Sequence, residues 1–158
     1  MSAFRSLALA IEVATRRRDE AEQAVQQVQR AIRHAQAQLD QLGGYAQETE
    51  LRWATAQART FSAELMRHRH SFMERLQHAM DLQQGVLADL QQQLQQAQRR
   101  RVQQEQRLAG LQQLLQRRLA EQARHEARRE QKQLDDWVSQ AHARRSGARA
   151  AHPLGETA

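Results

Sequence analysis

The sequence predicts an all-α protein: a long antiparallel two-helix coiled-coil hairpin with a C-terminal helical overhang. Three observations carry that expectation. Gln (28), Ala (27), Arg (23) and Leu (18) supply 96 of the 158 residues, with one Pro and no Cys, a usage that favours helix and leaves little with which to build turns or strands. A mean hydropathy of −0.88 with 27% charged residues keeps most side chains in water, so any core is thin. Apolar residues also recur at alternating steps of four and three, the a/d repeat of a coiled coil.

The first helix is expected over about 3–57. Sixteen a/d positions run unbroken from Phe4 to Ala56, and fourteen are apolar, among them Phe4, Leu7, Ile11, Val25, Leu42 and Trp53; Arg18 and Thr49 are the exceptions. The flanking positions are mostly Gln, Arg, Glu and Asp, so the stripe is a narrow seam and not the wider face of a helix on a globular core. Such a helix runs for about 80 Å.

A turn is expected at about 58–62, where AQARTFSAEL offers Thr60 and Ser62 as N-caps and Glu64 in the first turn of the next helix. The second helix is expected over about 63–145. Its seam reads Phe72, Leu76, Ala79, Leu87, Leu90, Leu94, Ala97, Leu108, Leu111, Leu115 and Leu119, then Leu134, Val138 and Ala141, interrupted by Arg101 and Gln104. Gly43 and Gly44 mark a candidate weak point in the first helix. The tail 146–158 loses the periodicity, carries the Pro, and reads as disordered. A turn centred near 60 sets residue i opposite about 121 minus i. The first helix then runs out opposite Arg117, and roughly 25 residues of the second, about 40 Å, continue with an apolar stripe and no intramolecular partner.

Charge and residue types exclude several function classes. The formal charge is +6, and residues 99–158 hold 13 basic against 7 acidic residues. The clusters Arg16–Arg18, Arg99–Arg101, Arg117–Arg118, Arg128–Arg129 and Arg144–Arg145 read as solvated coiled-coil faces, and interleaved Glu121, Glu126 and Glu130 dilute the field. A DNA-binding basic region needs an uninterrupted basic helix ahead of a zipper, so no nucleic acid is expected. The seven histidines show no metal-ligand spacing, and no phosphate-cradling glycine loop occurs. No catalytic residue, cofactor or metal is expected, because a two-helix hairpin has no interior from which to exclude water. No run is long and apolar enough to span a membrane, and the N-terminus does not read as a secretory signal.

Three segments carry a resemblance: QLDQLGGYAQE (38–48), FMERLQHAM (72–80) and EARREQKQLDDWVSQAHARR (126–145). With the length and two-helix pattern, they make the chain similar to the FliJ family, the small cytoplasmic coiled-coil component of the bacterial flagellar type III export apparatus. The resemblance implies a non-enzymatic stalk at the cytoplasmic face of the inner membrane. It would insert into the hexameric export ATPase, promote its assembly or activity, couple it to the export gate protein FlhA and meet export chaperones. The gate-contacting cluster maps onto Gln38, Leu42, Tyr45, Phe72, Leu76 and Ala79; Thr49 and Gln83 stand where the family pattern has an aromatic and a histidine. Contact with the ATPase maps onto the helix ends, with Phe4, Leu7, Ile11, Leu119, Arg128, Leu134 and Trp137 as candidates. The pairing rule places Gln38 with Gln83, Leu42 with Ala79, Tyr45 with Leu76 and Thr49 with Phe72, so both halves of the gate cluster fall at one level.

Two rivals share parts of this pattern: the equivalent stalk of a virulence injectisome, and a generic dimeric scaffold of continuous parallel helices. Distance labels at residues 7 and 114 separate the hairpin from the scaffold. The hairpin requires a short intramolecular distance and a monomer mass in sedimentation, whereas the scaffold gives a dimer with the two labels of each chain far apart.

Overall fold

The computed structural model describes residues 2–56 and 62–150. They form two helices, α1 (Ser2–Thr55, 54 residues) and α2 (Ala63–Ala150, 88 residues), and no strand occurs among the described residues. Two compact units emerge: Ala8–Ala109, and Met1–Leu7 together with Gly110–Ala158.

The unit Ala8–Ala109 is an antiparallel hairpin. The start of α2 is fixed by Ser62, whose hydroxyl accepts from the Leu65 N–H at 3.2 Å while its carbonyl accepts from the Met66 N–H at 3.2 Å. This is an N-cap, and Glu64 lies in the first turn, where a negative charge meets the positive end of the helix. Thr60 and the rest of the expected turn, apart from Ser62, lie outside the described residues.

All sixteen a/d positions from Phe4 to Ala56 are buried or half-buried, Arg18 and Thr49 included. On α2 the covered positions also alternate by four and three: Arg69, Met73, Leu76, Met80, Gln83, Leu87, Leu90, Leu94, Ala97, Arg101, Gln104 and Leu108. The register comes from contacts between the helices. Gln83 Nε2 donates to the Ala35 carbonyl at 2.9 Å and to Gln38 Oε1 at 3.0 Å. The Arg69 guanidinium lies 5.0 Å from the centre of the Trp53 ring, a cation–π contact that ties the helices together near the turn. Facing seam residues have numbers that add to about 122.

That register corrects the reading of the second seam. Phe72 is 43% exposed and Met73 takes its seam position, just as Met80 takes the one assigned to Ala79, which is only half-covered beside it. The cause is the spacing between Leu76 and Leu87, both buried. Steps of four and three join them only through Met80 and Gln83, and one step back from Leu76 lands on Met73, about 100° around the helix from Phe72. Methionine's unbranched side chain suits the irregular space between two helices.

The core is asymmetric. In the hairpin unit the buried residues of α1 are Ala14, Ala21, Val25 and Ala35, and those of α2 are Leu76, Leu87 and Leu108. The register sets Ala14 level with Leu108 and Ala35 level with Leu87. Small opposite large allows close interhelix packing without leaving a void.

In the other unit, Leu7 is 6% exposed and Phe4 is half-buried, with Leu111, Leu115 and Arg118 half-buried on α2. Beyond them every described residue is exposed except half-buried Ala141. Leu119, expected in the seam, is 51% exposed; Leu134 and Val138 are exposed as well, since no second helix lies beside them. The helix runs to Ala150, five residues past the expected end at Arg145. Ser146 and Gly147 weaken a helix without stopping one, and Ala and Arg on both sides propagate it. Residues 151–158, the remainder of the expected tail, lie outside the described residues.

α1 passes through Gly43 and Gly44 without a break. A Cβ added at Gly44 or at Gly85 meets nothing within 4 Å, so the cost of glycine in these helices is chain entropy alone. The double variant Gly44→Ala/Gly85→Ala is expected to gain about 1–2 kcal/mol, read as a higher thermal midpoint by circular dichroism.

Candidate functional site

With the seam positions named a and d, the positions bordering it are e and g, and in an antiparallel pair the g flank of one helix lies beside the g flank of the other. Gln38 and Tyr45 of α1 and Phe72 and Ala79 of α2 occupy g, whereas Leu42 and Leu76 occupy the seam itself. The structure therefore brings the six residues of the expected cluster to one side of the hairpin, in two layers. Tyr45 and Phe72 form the accessible layer, 48% and 43% exposed, while Leu76 beneath them is 8% exposed.

Local bonds set the positions of these side chains. Gln41 Nε2 donates to the Tyr45 hydroxyl oxygen at 3.0 Å, one turn away, and holds the ring along α1. Thr49 turns its hydroxyl back to the Tyr45 carbonyl at 2.7 Å. Gln38 is joined to α2 by its bond from Gln83, so these two glutamines act as a cross-strut. The pairing anticipated for Gln38 with Gln83 is thus present, whereas Thr49 and Leu42 sit level with Met73 and Met80, not with Phe72 and Ala79.

The g flank extends further than the sequence reading took it. Leu65 (44% exposed) and Val86 (46%) stand seven residues to either side of Phe72 and Ala79, and Leu82 is 60% exposed beside them. The signal for them was the same seven-residue spacing, hidden because Phe72 and Ala79 had been placed in the seam.

A polar layer crosses the seam of the hairpin. Arg18, at an a position, donates to Asp19 Oδ1 at 2.8 Å. That hydrogen bond and the charge of Asp19 raise the pKa of Arg18 above its ordinary value, with smaller contributions from Glu22 and Glu105. Across from it stands Gln104, and in the next layer Arg101 Nε lies 3.7 Å from Glu105 Oε1. Arg101 Nε and Gln104 Oε1 are buried without a hydrogen-bond partner. Of the four seam interruptions seen in the sequence, Arg18, Arg101 and Gln104 therefore fall in two adjacent layers, and Thr49 stands apart.

The candidates at the helix ends divide by exposure. Phe4, Leu7 and Ile11 are half-buried or buried, so they serve the seam. Leu119, Arg128, Leu134 and Trp137 are exposed, Trp137 to 67%. Leu134, Trp137, Val138 and Ala141 follow helical spacing and share one face, and a shallow hollow lies beside Trp137, lined also by Val138, His142 and Arg145.

Among the described residues no group of three His, Cys, Asp or Glu side chains is placed to hold a metal ion. Hollows such as that of about 440 Å³ bounded by Gln95, Gln98, Arg99, Val102 and Gln103 lie open on a single helix.

A family model described as the flagellar FliJ protein matches residues 4–147. The chain belongs to the FliJ family. It is thereby a component associated with flagellar type III protein export, in a family that is a non-catalytic part of that apparatus. No curated protein and no solved structure matches the chain. No helix among the described residues is long and apolar enough to cross a membrane.

The two layers of the g-flank cluster respond differently to truncation. Tyr45→Ala/Phe72→Ala is expected to change stability by less than about 1 kcal/mol, whereas Leu76→Ala costs about 2 kcal/mol or more. Thermal unfolding followed by circular dichroism checks both, and equal losses for the two variants would mean that Tyr45 and Phe72 are core.

Proposed function

We propose that this FliJ-family chain is the central stalk of the flagellar export apparatus, entering the hexameric export ATPase at one end and coupling it to the gate protein FlhA. The observation that carries this reading is the length of α2 beyond Arg118. About 32 residues, roughly 48 Å of helix, stand without a neighbouring helix and present Leu119, Leu134, Trp137 and Val138 to solvent. A lone helix with an apolar face is stabilised when a partner covers that face, and a ring-shaped ATPase provides such a channel. Arg128 and its neighbours are then available to carboxylates lining the channel, in charge-assisted hydrogen bonds. The start of α1, with Phe4 and Leu7, braces α2 at the base of this segment.

Gate contact falls to the g-flank cluster. Tyr45 and Phe72 supply exposed aromatic area, Gln38 and Ala79 border it, and Leu42 and Leu76 support it from the seam. Aromatic side chains over a rigid backing suit the capture of an extended linker, because little side-chain freedom is lost on binding. Export chaperones are further partners of the same stalk, which works in the cytoplasm, peripheral to the inner membrane.

Titration of the cognate ATPase with the full-length chain, followed by light scattering and ATP turnover, tests the reading. Wild type is expected to promote ring assembly. Leu134→Glu/Trp137→Glu is expected to abolish that effect while retaining FlhA-linker binding, and Tyr45→Ala/Phe72→Ala to do the reverse. Absence of any complex with the ATPase, or loss of both activities in both variants, overturns the proposal.

A further inference from the structure

The polar layer of the seam uses its acids on one side only. Asp19, Glu22 and Glu105, whose charges act on Arg18, fall at the e flank or just outside it, and Glu105 also faces Arg101. The opposite g flank at the same level carries Arg17 on α1 and Arg100 and Arg107 on α2, all exposed. None of these three makes an ion pair or a hydrogen bond among the described residues. At three and four residues before and after Arg100 and Arg107 stand only Gln, Ala, Gly and Leu. Glu20, one turn from Arg17, comes within ion-pair distance of no basic side chain among the described residues.

The e flank thus pairs its charges at this level while the g flank leaves three arginines unpaired, with Glu20 the one acid on that side. Arg17 and Arg107 lie beside each other as like charges, a juxtaposition that disfavours the isolated hairpin. Between the basic residues and the Tyr45–Phe72 cluster, the g flank of α1 holds half-buried Ala24 and Ala31. Side chains this short let a further helix approach the flank closely.

We infer that the Arg17–Arg100–Arg107 flank docks an acidic amphipathic helix of a partner protein, laid along the hairpin as a third strand. Charge complementarity selects an anion. Spacing selects a helix: Arg100 and Arg107 are seven residues, about 10 Å, apart along α2. A partner helix with Glu or Asp every seven residues repeats at that interval and places its small apolar face over Ala24 and Ala31. Nucleic acid would demand contacts at the closer spacing of phosphates, and a membrane surface would demand a broad apolar face beside the arginines. This surface is separate from both contacts proposed above.

The test uses the full-length chain and three synthetic helical peptides of equal length, carrying Glu, Gln or Lys at the heptad flanks, with binding read by fluorescence anisotropy at 50 and 300 mM salt. The Glu peptide is expected to bind and to weaken in high salt, and the Gln and Lys peptides are expected not to bind. Arg17→Gln/Arg100→Gln/Arg107→Gln is expected to lose about tenfold in affinity for the Glu peptide with helicity retained and a thermal midpoint no lower than wild type. Arg30→Gln/Arg33→Gln/Arg67→Gln, which removes the same charge elsewhere, is expected to bind as wild type. Equal loss in both triple variants, equal binding of Glu and Gln peptides, or tighter binding of duplex DNA or phosphatidylserine vesicles through the same arginines overturns the inference.

Discussion

Each helix of the hairpin carries a stripe of apolar residues only two positions in seven wide, and each stripe is too narrow to be buried by anything except its counterpart. Pairing at numbers that add to about 122 is the constraint on which everything else in the molecule depends. It decides which residue of α2 meets each residue of α1, and therefore which side chains are left on the flanks. Because the side chain about 100° away becomes exposed when the register moves by one residue, the register also decides what the protein offers to partners. The bond from Gln83 to the Ala35 carbonyl is a polar contribution to that choice, since a slipped register would leave a half-buried amide without its acceptor.

Much of this is legible in the sequence. The a/d repeat of α1 is unbroken, and every position it nominates is covered, even Arg18 and Thr49. The cap at Ser62 was legible from residue type and position. On α2 the reading slipped by one residue at two places for a definite reason. Phenylalanine outranks methionine in hydrophobicity, so Phe72 drew the seam away from Met73, and Ala79 followed seven residues later. Hydrophobicity ranks side chains singly, whereas register is a property of the whole chain of spacings, and here Leu76 and Leu87 held the deciding vote. The helix runs five residues past the expected end at Arg145, since loss of apolar period is not loss of helix. A helix without a partner needs no period, only residues that propagate it.

The site shows the same division. The level of the cluster along the hairpin followed from the pairing rule, but its layering did not. Tyr45 and Phe72 differ from Leu76 by position relative to the seam, a distinction available only once α2 is in register. The gathering of unpaired arginines on the g flank was hidden for the same reason. In sequence, Arg16–Arg18 and Arg99–Arg101 are runs in which one side chain enters the seam, one lies on the g flank and one points outward. Three neighbours in the chain thus have three environments, and counting charge by segment averages them away.

The asymmetry of the core has a consequence for how the two helices respond to change. On α1 the buried positions are mainly alanines, so most substitutions there enlarge a side chain and wedge the helices apart, disturbing neighbouring layers as well. On α2 the buried positions are leucines, so most substitutions there shrink a side chain and leave a local gap that adjoining layers tolerate. One strand of the hairpin acts as a template of fixed depth and the other as the filler. Sequence drift is accordingly expected to be more restricted in size at Ala14 and Ala35 than at Leu108 and Leu87, which face them.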